Sequence, residues 1–176
     1  MSALILELLG GRVQFGCKGP RAAEWLAGQG LALPERANTY GAAPDQPLVA
    51  RLGWSEFFVE QGATGHIVRR LAAALAASPA GVYPVLREDW AMRLHGAQAE
   101  DLLAQVCSVE FAALDPAAHP VIMTLMVGVA VLIVPVQSGA VRHYRIWCDP
   151  TYGPYLRDAL RGVVVECGGT YSGVTT

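Results

Sequence analysis

One strand–turn–helix pattern occurs twice in this chain and narrows the folds open to it more than any other feature. Residues 13–27 and 90–104 both have an extended segment, a glycine turn and an amphipathic helix. When Gly19 is placed on Gly96, the helix positions agree in character. The matched pairs are Ala22 with Ala99, Glu24 with Asp101, Trp25 with Leu102, Leu26 with Leu103 and Ala27 with Ala104. The sequence therefore predicts two copies of one supersecondary unit.

A later pair of helices supports the same repeat. The apolar positions have identical spacing in the two helices, Ile67, Leu71, Ala74 and Leu75 in the first and Tyr152, Leu156, Ala159 and Leu160 in the second. Strand-like segments separate the helices, so we expect an α+β fold of duplicated β-α-β-α units with mixed or antiparallel sheets. The length favours a single compact domain over residues 1–176, built from pseudo-repeats at about 12–80 and 82–167.

Several segments carry more local expectations. The longest apolar run, Val121 to Val136, is short for a membrane helix and is split by Gly128, which favours a pair of buried strands. Residues 1–10 are expected to form an edge strand or an arm against a partner. Residues 163–165 are expected to form a terminal strand, and residues 168–176 a mobile tail.

The composition excludes some classes of function. Charged residues make up only 16% of the chain, below the usual quarter, so either a partner covers apolar surface or the core is thick and rich in alanine. The net charge of −2, with scattered basic residues, argues against nucleic acid. The four cysteines show no CxxC or metal-ligand spacing, which indicates no metal site and reduced thiols. A basic signal-peptide start is also lacking, so we expect a cytoplasmic protein.

Three segments, taken in order, resemble a known family. Residues 50–59, 93–107 and 144–152 are similar to the gamma subunit of heterotetrameric sarcosine oxidase, within the folate-binding superfamily of the glycine-cleavage T protein. The resemblance implies a fold like the N-terminal, folate-binding domain of that protein. It also implies a small accessory subunit that docks on a larger one, while the flavin, NAD and folate chemistry belongs to the partner subunits.

The candidate binding residues are Trp54 and Glu56, in a Gly-Trp-Ser-Glu turn. In relatives that bind folate, a glutamate in a comparable turn recognises the pterin, and Trp54 would stack on that flat ring. The alternative is that Glu56 is a hairpin-turn residue and Trp54 a partly buried anchor. The four histidines are isolated in the sequence, and we assign no catalytic residue.

Two functions follow as hypotheses. The first is a non-catalytic accessory subunit of an oxidase that acts on sarcosine or a similar N-methyl amine. The second is a free-standing tetrahydrofolate-binding domain related to aminomethyltransferase. A third possibility is that the chain associates with itself as a homo-oligomer, so that its partner is a second copy.

Overall fold

The computed structural model describes residues 3–41, 46–139 and 141–175, and it divides the chain into two compact units. One is formed by Gly11–Glu88, and the other by Met1–Gly10 with Asp89–Thr176. We call them the five-stranded and six-stranded units after their sheets. In chain order the elements are β1 (Ile5–Leu9), β2 (Arg12–Lys18), α1 (Ala22–Gly28), β3 (Thr39–Gly41), β4 (Leu48–Arg51), β5 (Glu56–Gly62), α2 (His66–Leu75), β6 (Tyr83–Val85), β7 (Trp90–His95), α3 (Ala99–Val106), β8 (Ile122–Met126), β9 (Val129–Ser138), β10 (Val141–Cys148), α4 (Gly153–Glu166) and β11 (Thr170–Thr175).

The five-stranded unit is an antiparallel sheet with two helices packed on it. Its strand order is β3-β4-β5-β2-β6. Alternate residues of the strands join a core with the apolar sides of α1 and α2, because successive side chains of a strand point to opposite faces. The core is formed by Phe15, Cys17, Ala22, Leu26, Leu31, Val49, Phe57, Val59, Val68, Leu71, Leu75 and Val82.

The six-stranded unit has the order β11-β1-β7-β10-β9-β8. Its neighbouring strands are antiparallel except β1 and β11, which pair in parallel. The buried faces of α3 and α4 complete its core, which includes Leu6, Met92, Leu94, Leu102, Leu103, Ile133, Tyr144, Ile146, Leu156 and Leu160. A two-residue turn at Val127 and Gly128, with φ of 49° and 82°, joins β8 to β9.

These features confirm the coarse prediction. The chain is α+β, with one mixed and one antiparallel sheet. The apolar run from Val121 to Val136 forms the paired strands β8 and β9, as its central glycine indicates. Within the part of the chain that the structure describes, none of the helices has the length and apolar character needed to cross a membrane.

Three local expectations were wrong. Strand β1 is not at an edge, because it lies between β11 and β7. Residues 163–165 continue α4 instead of forming a strand, since the helix buries Val164 and leaves Val165 59% exposed. The expected tail pairs with β1 as β11, and Thr170 N donates to Leu4 O at 2.9 Å. Long-range pairing and helix packing thus outweigh local propensity here.

Candidate functional site

The turn that carries Trp54 and Glu56 joins β4 to β5, and Arg51 holds it in place. The guanidinium of Arg51 donates to the carbonyl oxygens of Trp54 at 2.9 Å and Gly53 at 3.3 Å. Leu52 N donates to Glu56 O at 2.9 Å and closes the turn. The guanidinium of Arg51 therefore orders the turn through backbone carbonyl oxygens, and the side chains of Trp54 and Glu56 take no part in these bonds.

Trp54 projects into solvent, with 82% of the residue exposed. The alternative expectation, that Trp54 is a partly buried anchor, is therefore wrong. An exposed indole of this kind is available to stack on a flat ring or on a partner surface.

Glu56 begins β5 and is paired within its own unit. Arg87 Nη2 lies 3.0 Å from Glu56 Oε1. The central carbon of the Arg87 guanidinium lies 5.5 Å from the centre of the Phe58 ring. The glutamate side chain is 38% exposed. A pterin that bound this carboxylate through two hydrogen bonds would have to compete with Arg87.

Cys17 lies on β2, opposite the start of β5, and is buried. Burial, and then the nearby Glu56 carboxylate, raise the pKa of its thiol to about 12. Because the thiolate is the nucleophile, Cys17 is unreactive in this environment. It is a packed side chain of the five-stranded core.

A broad open groove lies elsewhere in the five-stranded unit. Its volume is about 1140 Å³, and it is lined by part of β2, the end of α2 and residues 78–88. Arg87 lines the groove, whereas Trp54 and Glu56 are not part of the lining that the structure describes. The structure thus brings Glu56 to the groove only through its ion pair with Arg87. Sequence reasoning missed this groove because its lining residues form no recognisable motif.

The histidines are not all isolated in space. In the six-stranded unit, His95 Nε2 lies 3.5 Å from Glu7 Oε2, a contact between residues far apart in sequence. Arg93 donates to the same carboxylate, and this bond is the main reason that the pKa of Glu7 is lowered. His143 pairs with His95 across β10 and β7. Burial, and then the neighbouring Arg93, lower the pKa of His143 to about 4.

This cluster does not form a metal site. Among the residues that the structure describes, no three His, Cys, Asp or Glu side chains are placed to hold a metal ion. The carboxylate of Glu7 is already engaged by Arg93, so the cluster has the character of a charged network across three strands.

Known proteins share this fold. No protein-family model matches the sequence, and no curated protein matches it. Among solved structures, a chain of the heterotetrameric sarcosine oxidase from Corynebacterium sp. U-96, in complex with pyrrole 2-carboxylate, superposes with a TM-score of 0.74 at 20% identity. That match covers 96% of this chain and 87% of the other.

A second solved structure is the glycine cleavage system aminomethyltransferase T from Bartonella henselae. It superposes with a TM-score of 0.72 at 15% identity over 97% of this chain, which spans only 48% of the aminomethyltransferase. These likenesses agree with the resemblance found in the sequence. The chain thus has the fold shared by a chain of heterotetrameric sarcosine oxidase and by part of the glycine cleavage aminomethyltransferase.

Proposed function

We propose that this chain is a cytoplasmic, non-catalytic accessory subunit of the gamma type, which docks on a larger flavin- and folate-dependent subunit of an amine oxidase. The substrate of the complex would be sarcosine or a similar N-methyl amine. The observation that carries the proposal is the end-to-end match with the sarcosine oxidase chain, which covers 87% of that chain. The match with the aminomethyltransferase covers less than half of that enzyme.

The chemistry of the described side chains favours an accessory role. Glu56 is paired with Arg87, and the buried thiols of Cys17 and Cys148 have raised pKa values. Neither set offers an activated nucleophile. In the proposed complex, flavin and NAD belong to the partner subunits.

The surface is compatible with a protein partner. In the five-stranded unit, large apolar side chains are exposed at Trp54, Tyr83 and Leu86. Exposed apolar side chains, in a chain with only 16% charged residues, suit a surface that contacts another protein.

We also propose that the chain is one domain that arose by duplication, with pseudo-repeats at about 12–80 and 82–167. The order strand, helix, three strands, helix runs from β2 to α2 and again from β7 to α4. The strand pairings support the repeat, since Cys17 pairs with Phe57 of β5 as Leu94 pairs with Tyr144 of β10. Cys17 lies two residues before Gly19, and Leu94 lies two residues before Gly96, the glycines of the two turns.

Co-expression tests the accessory role. The chain is produced together with the large subunit of a heterotetrameric sarcosine oxidase, and a tag on one is used to purify both. We expect a complex of fixed stoichiometry that oxidises sarcosine, and no flavin or oxidase activity in the isolated chain. A monodisperse monomer that does not bind the large subunit would contradict the proposal.

A second function is favoured by the exposed ring of Trp54. As a free-standing domain related to aminomethyltransferase, the chain would bind tetrahydrofolate through Trp54 and Glu56. Titration with tetrahydrofolate, followed by tryptophan fluorescence and calorimetry, should then saturate. Trp54→Ala removes the stacking surface and Glu56→Ala removes a charged hydrogen bond, so each variant should weaken tetrahydrofolate binding at least about tenfold. A titration without saturation removes this function.

A further inference from the structure

The five-stranded sheet lacks a strand that the six-stranded sheet has. The residues one and three positions before Gly19, Lys18 and Gly16, pair with Tyr83 and Val85 of β6. The residues one and three positions before Gly96, His95 and Arg93, pair with Ile5 and Glu7 of β1 in the same antiparallel register. Strands β6 and β1 therefore hold equivalent positions. Strand β1 is covered on its outer side by β11, whereas β6 is the last strand of its sheet.

The groove borders β6, the edge strand that lacks this outer neighbour. It is lined by the end of α2, including Leu75 and Ala76, and by the segment 78–88 that contains β6. With the spacing shared by α2 and α4, Ala76 corresponds to Arg161. The guanidinium of Arg161 lies over the Tyr171 ring of β11 at 5.8 Å. The place that β11 occupies beside α4 thus has its counterpart in the open groove beside α2.

The size and lining of the groove select the kind of occupant. Its volume of about 1140 Å³ exceeds that of most small-molecule pockets, which are about 300–1,000 Å³. Its floor includes Phe15 and Leu75, and its rim carries Tyr83 and Leu86, which are 55% and 83% exposed. These features suit an apolar peptide segment.

Pro84 at the centre of β6 restricts how that segment binds. Proline has no backbone N–H, so it removes a donor and protects a sheet edge against indiscriminate pairing. A bound segment would supply N–H donors to carbonyl oxygens of this edge and gain most of its affinity from side chains in the groove. Apolar side chains of the segment would meet Leu86 at the rim.

We infer that an extended apolar segment of the larger subunit lies in this groove, parallel to β6, as β11 lies parallel to β1. Strand addition at a sheet edge is a common mode of peptide recognition. This inference rests on the proposed function, because it names the surface through which the accessory subunit docks. The occupant is a segment of another chain, and β11 shows the geometry that it adopts.

Charged substitutions at exposed apolar residues test the inference. The probe is the purified large subunit of a heterotetrameric sarcosine oxidase, and its dissociation constant is measured by biolayer interferometry. Leu86→Arg and Tyr83→Glu should each weaken binding at least tenfold. Leu125→Arg is the control, because Leu125 is also an exposed leucine, 61% exposed on the edge strand β8 of the other sheet. It should leave the dissociation constant unchanged.

Hydrogen exchange gives a second readout that does not depend on a substitution. In the wild-type complex, amides of residues 82–87 that have an N–H should exchange more slowly than in the isolated chain. Unchanged exchange there, together with unchanged binding of the Leu86→Arg and Tyr83→Glu variants, would overturn the inference while the accessory role stands.

The remaining outcomes are also decisive. Wild-type chain that binds no large subunit overturns both the inference and the proposed function. If Leu125→Arg weakens binding and Leu86→Arg does not, the docking surface is at β8. If the isolated chain is a dimer that Leu86→Arg dissociates, the occupant is a second copy and the inference is wrong.

Discussion

Gly19 and Gly96 make the same close backbone approach, each in its own unit. Their φ angles are 131° and 119°, values that residues with a side chain rarely adopt. A Cβ on Gly19 would lie 2.4 Å from the carbonyl oxygen of Gly81, and a Cβ on Gly96 would lie 2.2 Å from that of Ala3. Gly81 lies two residues before β6, which pairs with β2, and Ala3 lies two residues before β1, which pairs with β7. The turn after the first strand of each unit therefore needs glycine for the same reason.

We expect Gly19→Ala and Gly96→Ala to destabilise the protein by similar amounts. The backbone conformation costs about 1–2 kcal/mol and the clash with a carbonyl oxygen about 1–3 kcal/mol, so each variant should lose about 3 kcal/mol. Denaturant unfolding followed by circular dichroism measures the change. Gly53→Ala is the control, because a Cβ there meets nothing within 4 Å. Equal stability of all three variants would contradict the shared turn geometry.

The ion pair between Arg87 and Glu56 should contribute modestly to stability. Both side chains are partly exposed, and pairs of this kind contribute about 0.2–1 kcal/mol. A double-mutant cycle with Glu56→Gln and Arg87→Met should give a coupling of that size, reduced in high salt by screening. A coupling near zero at low salt would mean that Glu56 is available for another ligand.

Stability should depend on pH through His143. Its pKa is about 4 in the folded chain and near the ordinary value of about 6.5 when unfolded. The unfolded chain therefore binds more protons between these values, and stability falls as the pH is lowered through that window. Between pH 7 and pH 5 we expect a loss of about 1 kcal/mol, discounted for partial exposure, which His143→Gln should remove. This window lies above the titration of Glu7, whose pKa is lowered.

The thiols should separate into two classes of reactivity. Burial raises the pKa of Cys17 to about 12 and that of Cys148 to about 11, whereas Cys107 and Cys167 are only half-buried. With iodoacetamide near pH 8, Cys107 and Cys167 should be alkylated at least about 100-fold faster, because the buried thiols are rarely ionised. Peptide mass spectrometry identifies the modified positions. Rapid alkylation of Cys17 in the folded protein would contradict its place in the core.

Local sequence pattern was informative wherever structure depends on neighbours in the chain. Gly128 between two β-branched runs predicted the hairpin of β8 and β9, and the apolar spacing from Leu71 to Leu75 predicted the buried side of α2. The same logic failed at Val163 to Val165, since β-branched residues favour strands but α4 is held by the burial of Leu156, Leu160 and Val164. Tyr152, placed on the apolar stripe from its spacing, lies exposed before the helix begins.

Contacts between residues that are distant in the chain could not be predicted from the local sequence pattern. The partner of Glu56 is Arg87, 31 residues later, and the carboxylate beside His95 belongs to Glu7. Neither pair has a spacing that marks it, because the strands that carry these residues are brought together only by the folded sheets. The turn of Trp54 and Glu56 was predicted, but the exposure of the indole and the pairing of the carboxylate were not.

By itself the sequence determined the class of fold, the glycine turns at Gly19 and Gly96, and which helical sides are apolar, because each depends on the conformational preferences and periodicity of residues within a few positions. Only the tertiary structure decided that residues 170–175 add to β1 as a parallel strand and that β6 has no such neighbour. Strand pairing joins segments that are distant in the chain, so its outcome depends on the packing of the whole unit and not on the local pattern.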